Sequence, residues 1–168
     1  MNLLCTCGKG LYVDQYKRNQ ILSGYPVFCC SECFLQHVKQ LPSVVGAPEY
    51  RRSTISQPHE RWDSITKGFY RSWYEVFLAR CFSEEGIRFE YEGYTIDLNG
   101  PTYTPDFYLL DKGVFVETKG MWLSASKKKL KMALSAGHRV LLLPAYLEKD
   151  FRRKYRISAD NMAKASHL

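Results

Sequence analysis

The sequence contains no run of apolar residues long enough to cross a membrane. Hydrophobic residues make up 45% of the 168 residues, but they are divided among short segments, and none reaches the roughly 18 residues that a spanning helix needs. The segment that follows Met1 also lacks the features of a secretion signal. The sequence therefore predicts a soluble protein with no membrane partner and with enough apolar residues for the core of one domain.

Cysteine is scarce in most of the chain. Five of the six cysteines lie within the first 33 residues, and without a secretion signal this distribution does not favour disulfides. Cys5 and Cys7 lie close together, and Cys29, Cys30 and Cys33 precede a predicted short helix. Thiolates at this spacing indicate a structural zinc site, which would also help so small a module to stay folded.

The order of a cysteine knuckle, a spacer, a cysteine pair and a helix resembles the treble-clef zinc ribbons. Cys30 has the common two-residue spacing to Cys33, whereas Cys29 matches the way many treble clefs end. We prefer Cys29 and keep Cys30 as the alternative ligand, with His37 as a less favoured substitute. The expected zinc ligands are Cys5, Cys7, Cys29 and Cys33.

Acidic residues are outnumbered, and the imbalance is local. The chain has 24 Lys or Arg against 17 Asp or Glu, a net charge of +7, and residues 127–156 alone carry +8. Such a basic tract favours a polyanion held by counterion release, although a solvated helix face has the same composition. The candidate DNA contacts are Arg51, Arg52, Arg71, Lys127, Lys128, Lys129, Lys131, Arg152 and Arg153.

Residues 102–119 predict two short strands joined by a tight turn at 111–113. Because side chains alternate between the faces of a strand, Asp106, Glu117 and Lys119 are expected to converge at one end of the hairpin. Two carboxylates and an ammonium at the mouth of an apolar hairpin are costly unless a metal ion or a substrate compensates their charge.

Pro105-Asp106 followed by Glu117-Thr118-Lys119 is the pattern of the PD-(D/E)XK nucleases, and the sequence resembles that superfamily here. Four successive blocks resemble the phage endonuclease I family, whose members cleave four-way junctions and other branched DNA. The blocks are residues 70–75, 86–92, 103–107 and 113–122. The resemblance implies an α+β (α/β) fold, in which a restriction-endonuclease-like core has a mixed central sheet flanked by helices, with a small treble-clef-like zinc module in front.

The resemblance also implies the catalytic residues Glu75, Asp106, Glu117 and Lys119. Mg²⁺ or Mn²⁺ would be bound by Glu75, Asp106, Glu117 and the Thr118 carbonyl, and Lys119 would contact the attacking water or the scissile phosphate, as base or as anchor. From the residues alone, the capping-box role of Glu75, with Ser72 as its partner, is favoured, and it is the resemblance that favours the metal role.

We therefore expect a Mg²⁺-dependent endodeoxyribonuclease that acts on branched DNA such as four-way junctions. The alternative within nucleases is a sequence-specific enzyme of restriction or homing type on the same core, which the added zinc module favours. A non-catalytic zinc-containing DNA-binding protein is the alternative of another class, against which the complete acidic set argues. The family resemblance also implies a homodimer and, for a phage protein, the cytoplasm of the bacterial host cell.

Four segments are expected along the chain. They are a zinc-binding module at 1–42, a linker or arm rich in Pro and Gly at 43–60, a nuclease domain at 61–156 and a flexible tail at 157–168. Within the nuclease domain, apolar spacing predicts a helix from Tyr70 to Gly86 and another at 124–136. The continuous apolar run 140–143 predicts a buried strand, parallel to its neighbour after the helical crossover, and a basic helix follows at 146–155.

Overall fold

A computed structural model describes residues 2–12, 26–54, 61–119 and 124–155. The fold is α+β, as predicted. The strands are β1 (Asn2–Leu4), β2 (Gly10–Tyr12), β3 (Arg51–Arg52), β4 (Arg61–Asp63), β5 (Gly68–Tyr70), β6 (Phe89–Tyr91), β7 (Tyr94–Asp97), β8 (Thr102–Tyr103), β9 (Phe107–Leu109), β10 (Val114–Lys119) and β11 (Val140–Pro144). The helices are α1 (Ser31–Gln40), α2 (Trp73–Glu84), α3 (Ser124–Ser135) and α4 (Glu148–Lys154), with a 3₁₀ turn at Ala145–Leu147 before α4.

The largest sheet in the described part of the chain has four strands in the order β11-β10-β9-β6. Strands β9 and β10 form the predicted antiparallel hairpin, and the turn between them ends at Gly113, whose φ of 63° favours glycine. Strand β11 pairs with β10 in parallel after the crossover through α3, because a parallel neighbour cannot be reached by a tight turn. The mixed sheet and the buried parallel strand are thereby confirmed.

The two faces of this sheet are covered differently. One face, here called the α2 face, presents Val114 and Val116 to a core that includes α1, α2 and α4. The opposite face, the α3 face, presents Phe115 to a smaller core formed with α3 and the three-stranded sheet β3-β7-β8. Successive residues of β10 thus alternate between two cores, as the two-residue period of a strand requires.

Helix α2 begins later than the apolar spacing predicted. Ser72 is its N-cap and accepts a hydrogen bond from the Glu75 amide at 3.2 Å, whereas Tyr70 belongs to β5. The extension of the helix to Tyr70 was wrong because pairing of β5 with β4 keeps that residue extended. Gly86, which follows the C-cap Glu85, terminates the helix as predicted. Its φ of 68° lets the Ile87 amide donate to the Phe82 carbonyl at 2.8 Å.

A buried ion pair fixes the β4–β5 hairpin to α2. The Arg80 guanidinium donates to Asp63 Oδ1 from Nε at 3.1 Å and from Nη2 at 2.7 Å, and both side chains are buried. Burial raises the pKa of Asp63, but the hydrogen bonds from Arg80 and Thr66 outweigh it and lower that pKa below its usual value. The hairpin entering α2 is therefore held in one position.

The N-terminal segment shares its core with the segment predicted as the nuclease domain. In α1, the Phe34 ring lies 6.2 Å from the ring of Phe82 in α2 and 5.9 Å from that of Phe151 in α4. Lys39 forms a 2.6 Å ion pair with Glu85. Among the described residues, α1 is therefore packed as part of the α2 face.

The predicted arm at 43–60 is partly structured. Strand β3 pairs with β7, so that Arg51 lies opposite Thr95 and Arg52 opposite Tyr94. Residues 55–60, residue 156 and the predicted tail at 157–168 lie outside the described residues. None of the helices in the described ranges is long and apolar enough to cross a membrane.

Candidate active site

Asp106 and Glu117 meet where β9 begins and β10 ends. The Asp106 amide donates to Glu117 Oε2 at 3.1 Å, while the Thr118 amide and hydroxyl both donate to Asp106 Oδ2 at 2.7 Å. Each of the two residues thus contacts the strand that carries the other. Asp106 and Glu117, here called the carboxylate pair, are held at one end of the sheet as predicted.

Glu117 is buried, with 3% of its surface exposed. A buried carboxylate is costly unless hydrogen bonds or a cation compensate its charge. The carboxylate pair and the Thr118 carbonyl offer oxygen atoms only, and oxygen is the ligand atom that Mg²⁺ prefers. The residues present therefore fit a hard divalent cation.

A cleft of about 540 Å³ opens beside Glu117. Its lining is mostly polar and combines two cations with several hydroxyl groups. The lining residues are Arg51, Thr54, Thr95, Thr102, Tyr103, Thr104, Glu117, Ser126 and Lys129. Donors of this kind bind phosphate oxygens without reading bases, so the cleft is suited to a phosphodiester backbone.

Glu75 lies in the first turn of α2 and has other partners. Its Oε2 accepts hydrogen bonds from the Arg71 amide at 3.0 Å and from the Tyr91 hydroxyl at 2.5 Å. Burial, and then the negative charge of Glu75, raise the pKa of Tyr91 well above its usual value, so this phenol stays protonated and donates. The contact with a backbone amide at the helix start is close to the capping-box alternative.

The structure does not bring Glu75 to the carboxylate pair. In the described ranges, the only cluster of three or more His, Cys, Asp or Glu side chains close enough to hold one ion consists of cysteines. Lys119 belongs to β10, with its backbone opposite Pro144 of β11, but its side chain lies outside the described residues. The predicted roles of Glu75 and Lys119 stay predictions.

Tyr91 and Glu92 are the functional candidates that sequence reasoning missed. Tyr91 is the last residue of β6, opposite Phe107 of β9, and the Glu92 amide donates to the Asp106 carbonyl at 2.7 Å. Both residues stand in the family-like block at 86–92. That block was the signal that could have found them.

The predicted basic residues are divided between the two faces of the sheet. Lys129 of α3 lines the cleft, and Lys127, Lys128 and Lys131 line a neighbouring depression. Arg152 is exposed on α4, whose Phe151 is buried in the core of the α2 face. The sequence suggested that the basic tract forms one surface. In the structure it lies on two helices, α3 and α4, which cover opposite faces of the sheet.

The predicted DNA-binding arginines other than Arg152 have carboxylate partners. Arg51 pairs with Asp97 at 3.0 Å, Arg71 pairs with Glu92 at 2.8 Å, and Arg153 pairs with Asp150 at 2.5 Å. Arg52 pairs with Glu90 and lies over the Tyr94 ring, 4.6 Å from its centroid. All four guanidinium groups stay at the protein surface, where ion pairs contribute little.

Four thiols, here called the thiolate quartet, form the cysteine cluster. The Sγ atoms of Cys5, Cys7, Cys29 and Cys33 all lie within 4.8 Å of one another. The Cys29 Sγ lies 3.4 Å from that of Cys33 and 3.9 Å from that of Cys7. Zn–S bonds of about 2.3 Å in a tetrahedron place sulfur atoms about 3.8 Å apart, so the quartet fits Zn²⁺. Neither Cys30 nor His37 belongs to it.

Backbone amides favour the thiolate form of Cys5. The Cys29 amide donates to Cys5 Sγ at 3.2 Å. Burial raises the pKa of Cys5, but amide donors from Cys7 and Cys29 outweigh it and lower the pKa to about 6. Burial raises the pKa of Cys29 to about 12.

Comparison with known proteins gives one consistent result. The family model described as phage endonuclease I matches residues 59–163. Endonuclease I of Escherichia phage T7 is 47% identical over 66 residues, which cover 37% of this chain and 44% of that protein. Endodeoxyribonuclease 1 of Enterobacteria phage T3 is 34% identical over 101 residues, which cover 58% of this chain and 60% of that protein.

The chain thus spans about half the length of the curated relatives it matches, 44% of one and 60% of the other. No solved structure matches this chain. The family match includes the carboxylate pair and begins after the thiolate quartet.

Proposed function

The chain belongs to the phage endonuclease I family, and from this premise we propose that it is a DNA endonuclease that hydrolyses phosphodiester bonds. The names of the T7 and T3 relatives support a nuclease that acts on DNA. The observation that carries the proposal is the hydrogen bonding that holds two carboxylates together, from the Asp106 amide to Glu117 and from Thr118 to Asp106, beside a cleft with two cations and several hydroxyls. We place this core in the PD-(D/E)XK superfamily.

The carboxylate pair and the Thr118 carbonyl would hold Mg²⁺ or Mn²⁺. When bound, such an ion supplies an activated water and neutralises charge on the phosphate. The hydrogen bonds from the Asp106 and Thr118 amides orient the two carboxylates. Lys119 contacts the attacking water or the scissile phosphate, and Arg51 and Lys129 neutralise neighbouring phosphates at the cleft.

Glu75, predicted as a further catalytic carboxylate, acts in this proposal as a positioning residue, since the structure does not bring it to the carboxylate pair. Its hydrogen bond to Tyr91 ties it to β6, and β6 pairs with β9, the strand that follows Asp106. Through this connection Glu75 would help to position the strand that follows Asp106. The thiolate quartet holds a structural Zn²⁺.

The preferred substrate is branched DNA such as a four-way junction. The sequence-specific alternative depends on the cysteine segment as a separate element that reads DNA. Helix α1, which carries Cys33, packs on the α2 face, whereas the cleft opens beside Glu117. This arrangement favours the branched substrate, because α1 is packed into the core of the α2 face rather than placed at the cleft. A homodimer acting in the host cytoplasm completes the proposal.

The test compares cleavage of a synthetic four-way junction with that of a linear duplex of the same sequence. The wild-type protein is expected to cleave the junction in Mg²⁺ or Mn²⁺ and to fail in Ca²⁺, whose coordination is looser. Glu117→Gln keeps an oxygen acceptor for the Asp106 amide but removes the charge, so cleavage should be lost while DNA binding remains. Glu84→Gln, at an exposed position at the end of α2, is the matched control.

Cleavage by Glu117→Gln at the rate of Glu84→Gln would overturn the assignment of the carboxylate pair. Equal cleavage of junction and duplex would remove the junction preference and leave the nuclease assignment intact. DNA binding without cleavage by the wild-type protein in either metal would favour the non-catalytic alternative.

A further inference from the structure

We propose that the thiolate quartet binds Zn²⁺ and that this ion stabilises the nuclease core itself, by linking the β1–β2 hairpin to α1 and, through α1, to α4. The inference concerns the folding of the chain and does not depend on the proposed cleavage activity. The quartet lies outside the family match, whereas α4 lies inside it. The ion would therefore support an element that belongs to the family's part of the chain.

The β1–β2 hairpin has little apolar contact of its own. Its strands have three residues each, and Leu4 and Tyr12 are 69% and 81% exposed. An isolated two-stranded hairpin is at best marginally stable in water. The described contacts that tie it to the rest of the chain are close to the quartet: the Thr6 amide donates to the Val27 carbonyl at 3.1 Å, and the Cys29 amide donates to Cys5 Sγ at 3.2 Å.

The segment that carries the other two cysteines of the quartet, Cys29 and Cys33, is joined to α4 by polar contacts. The Ser31 amide, at the start of α1, donates to Asp150 Oδ2 at 2.6 Å. The Tyr146 hydroxyl donates to the Phe28 carbonyl at 3.0 Å. The residues on either side of Cys29 are thus bonded directly to α4 and to the turn before it.

An apolar contact and an ion pair strengthen the same connection. The Phe34 ring, next to Cys33, packs edge-on against Phe151, and Glu32 forms a 2.8 Å ion pair with Lys154. Asp150 accepts a hydrogen bond from the buried Ser31 amide at the N-terminus of α1, a favourable position for a carboxylate. Movement of the first turn of α1 would therefore disturb α4 along most of its length.

From α4 the connection reaches the sheet. Strand β11 precedes α4, and its Leu143 lies opposite Thr118 in the parallel pair with β10. The Pro144 carbonyl accepts a hydrogen bond from the buried Tyr74 hydroxyl at 3.1 Å. The thiolate quartet and the strand that carries Glu117 are thus connected through packed elements rather than through a flexible linker.

Four sulfur ligands in a tetrahedron select Zn²⁺ or a single iron ion over Mg²⁺ or Ca²⁺. We assign Zn²⁺ because it forms structural sites with four cysteine ligands that need no redox partner. The ion would contribute its binding free energy to folding, as it does in other small thiolate sites.

The test uses the full-length protein and two matched substitutions, Cys33→Ser and Cys30→Ser. Cys30 Sγ lies only 3.6 Å from Cys33 Sγ, but it is not a member of the quartet. The wild-type protein and Cys30→Ser are expected to carry about one zinc per chain. Cys33→Ser is expected to lose it, and the amides of α4 should then exchange with deuterium at least about tenfold faster, since local opening governs exchange.

Amides of the β4–β5 hairpin serve as an internal reference, since Asp63 and Arg80 hold that hairpin to α2 independently of the cysteines. If Cys33→Ser does not fold, a chelator is added to the wild-type protein and exchange in α4 is followed as zinc is released. Amide exchange is then expected to accelerate in α4 and not in the β4–β5 hairpin.

Three results would overturn the proposal. They are a protein purified under reducing conditions with no metal or with iron, an equal loss of zinc from both variants, and zinc release that leaves exchange in α4 unchanged. None of these measurements uses DNA. A failure of the zinc proposal can therefore be distinguished from a failure of the proposed nuclease function.

Discussion

The α2 face and the α3 face of the central sheet differ in what covers them. On the α2 face, three helices bury a core rich in aromatic rings, including Phe34, Phe82, Phe107 and Phe151. On the α3 face, the core is smaller, and the end of the sheet beside Glu117 opens into a polar cleft. One face thus supplies most of the packing, and the other leaves room for a substrate.

This division explains how neighbouring residues acquire opposite roles. Asp106 contacts Glu117 and Thr118 through hydrogen bonds, whereas the next residue, Phe107, is completely buried among the rings of Phe82 and Phe89. A strand can serve a core and a site at once because its side chains alternate. The comparison therefore predicts that adjacent substitutions will separate activity from stability.

The largest expected effect is the contrast between Asp106→Asn and Phe107→Ala. Asp106→Asn should lower the cleavage rate by on the order of 10²-fold or more, as expected when a charged group is removed from an active site, with little change in the unfolding midpoint. Phe107→Ala should lower the free energy of unfolding by about 3–5 kcal/mol, because it leaves a cavity in the core. Junction cleavage and urea denaturation measure the two quantities.

The contrast fails if both variants lose activity only in proportion to their unfolded fraction. That result would mean that Asp106 contributes only to the stability of the fold and not to cleavage. Asp111→Asn, at the other end of the same hairpin, is the control for a change of charge on this strand pair.

The second prediction concerns Glu75, which we expect to affect both cleavage and stability. Glu75→Gln should lower cleavage strongly, whereas Tyr91→Phe removes one hydrogen bond to a charged group and should lower the free energy of unfolding by about 1–3 kcal/mol. Cleavage by Tyr91→Phe should fall less than cleavage by Glu75→Gln. Rates measured at a temperature where both variants are folded give the comparison.

If Glu75→Gln cleaved DNA at the wild-type rate, Glu75 would have only a structural role at the start of α2. The hydrogen bonds that it accepts from the Arg71 amide and the Tyr91 hydroxyl would then be its whole role. The carboxylate pair would remain as the proposed catalytic group.

The smallest expected effect concerns the basic residues on the two faces. Replacing Lys128 and Lys129 of α3 by Ala should reduce the slope of log affinity against log salt by about 0.9 for each phosphate that the protein no longer neutralises. Replacing Arg152 and Arg153 of α4 by Ala should leave the slope unchanged, because α4 packs on the α2 face. Binding is measured with the Asp106→Asn protein so that the DNA stays intact.

Equal slopes for the two double variants would contradict this assignment. If both slopes fall, the DNA contacts both faces, as the undivided basic tract in the sequence suggested. If neither falls, the lysines of α3 form a solvated surface.

Several features of this protein were determined by the sequence itself. The alternation in β10, the turn before Val114 and the continuous apolar run of β11 depend on neighbouring residues, so the hairpin, its parallel partner and the meeting of Asp106 with Glu117 could be predicted. The N-cap of α2 at Ser72 and its end at Gly86 are also local. The spacing of the cysteines restricted the metal ligands to a few candidates for the same reason.

Other features were decided only by the tertiary structure. Whether α1 forms its own module or joins the core depends on contacts between Phe34, Phe82 and Phe151, which are far apart in the sequence. The division of the basic tract between α3 and α4 follows from which side of the sheet each helix covers. Glu75 accepts a hydrogen bond from Tyr91 of β6, and Tyr70 pairs with Arg61 in the β4–β5 hairpin instead of joining the helix. In both places a contact outside the helix outweighed the local helical pattern. Sequence periodicity specifies which side of an element is apolar, and only the packed chain specifies what that side contacts.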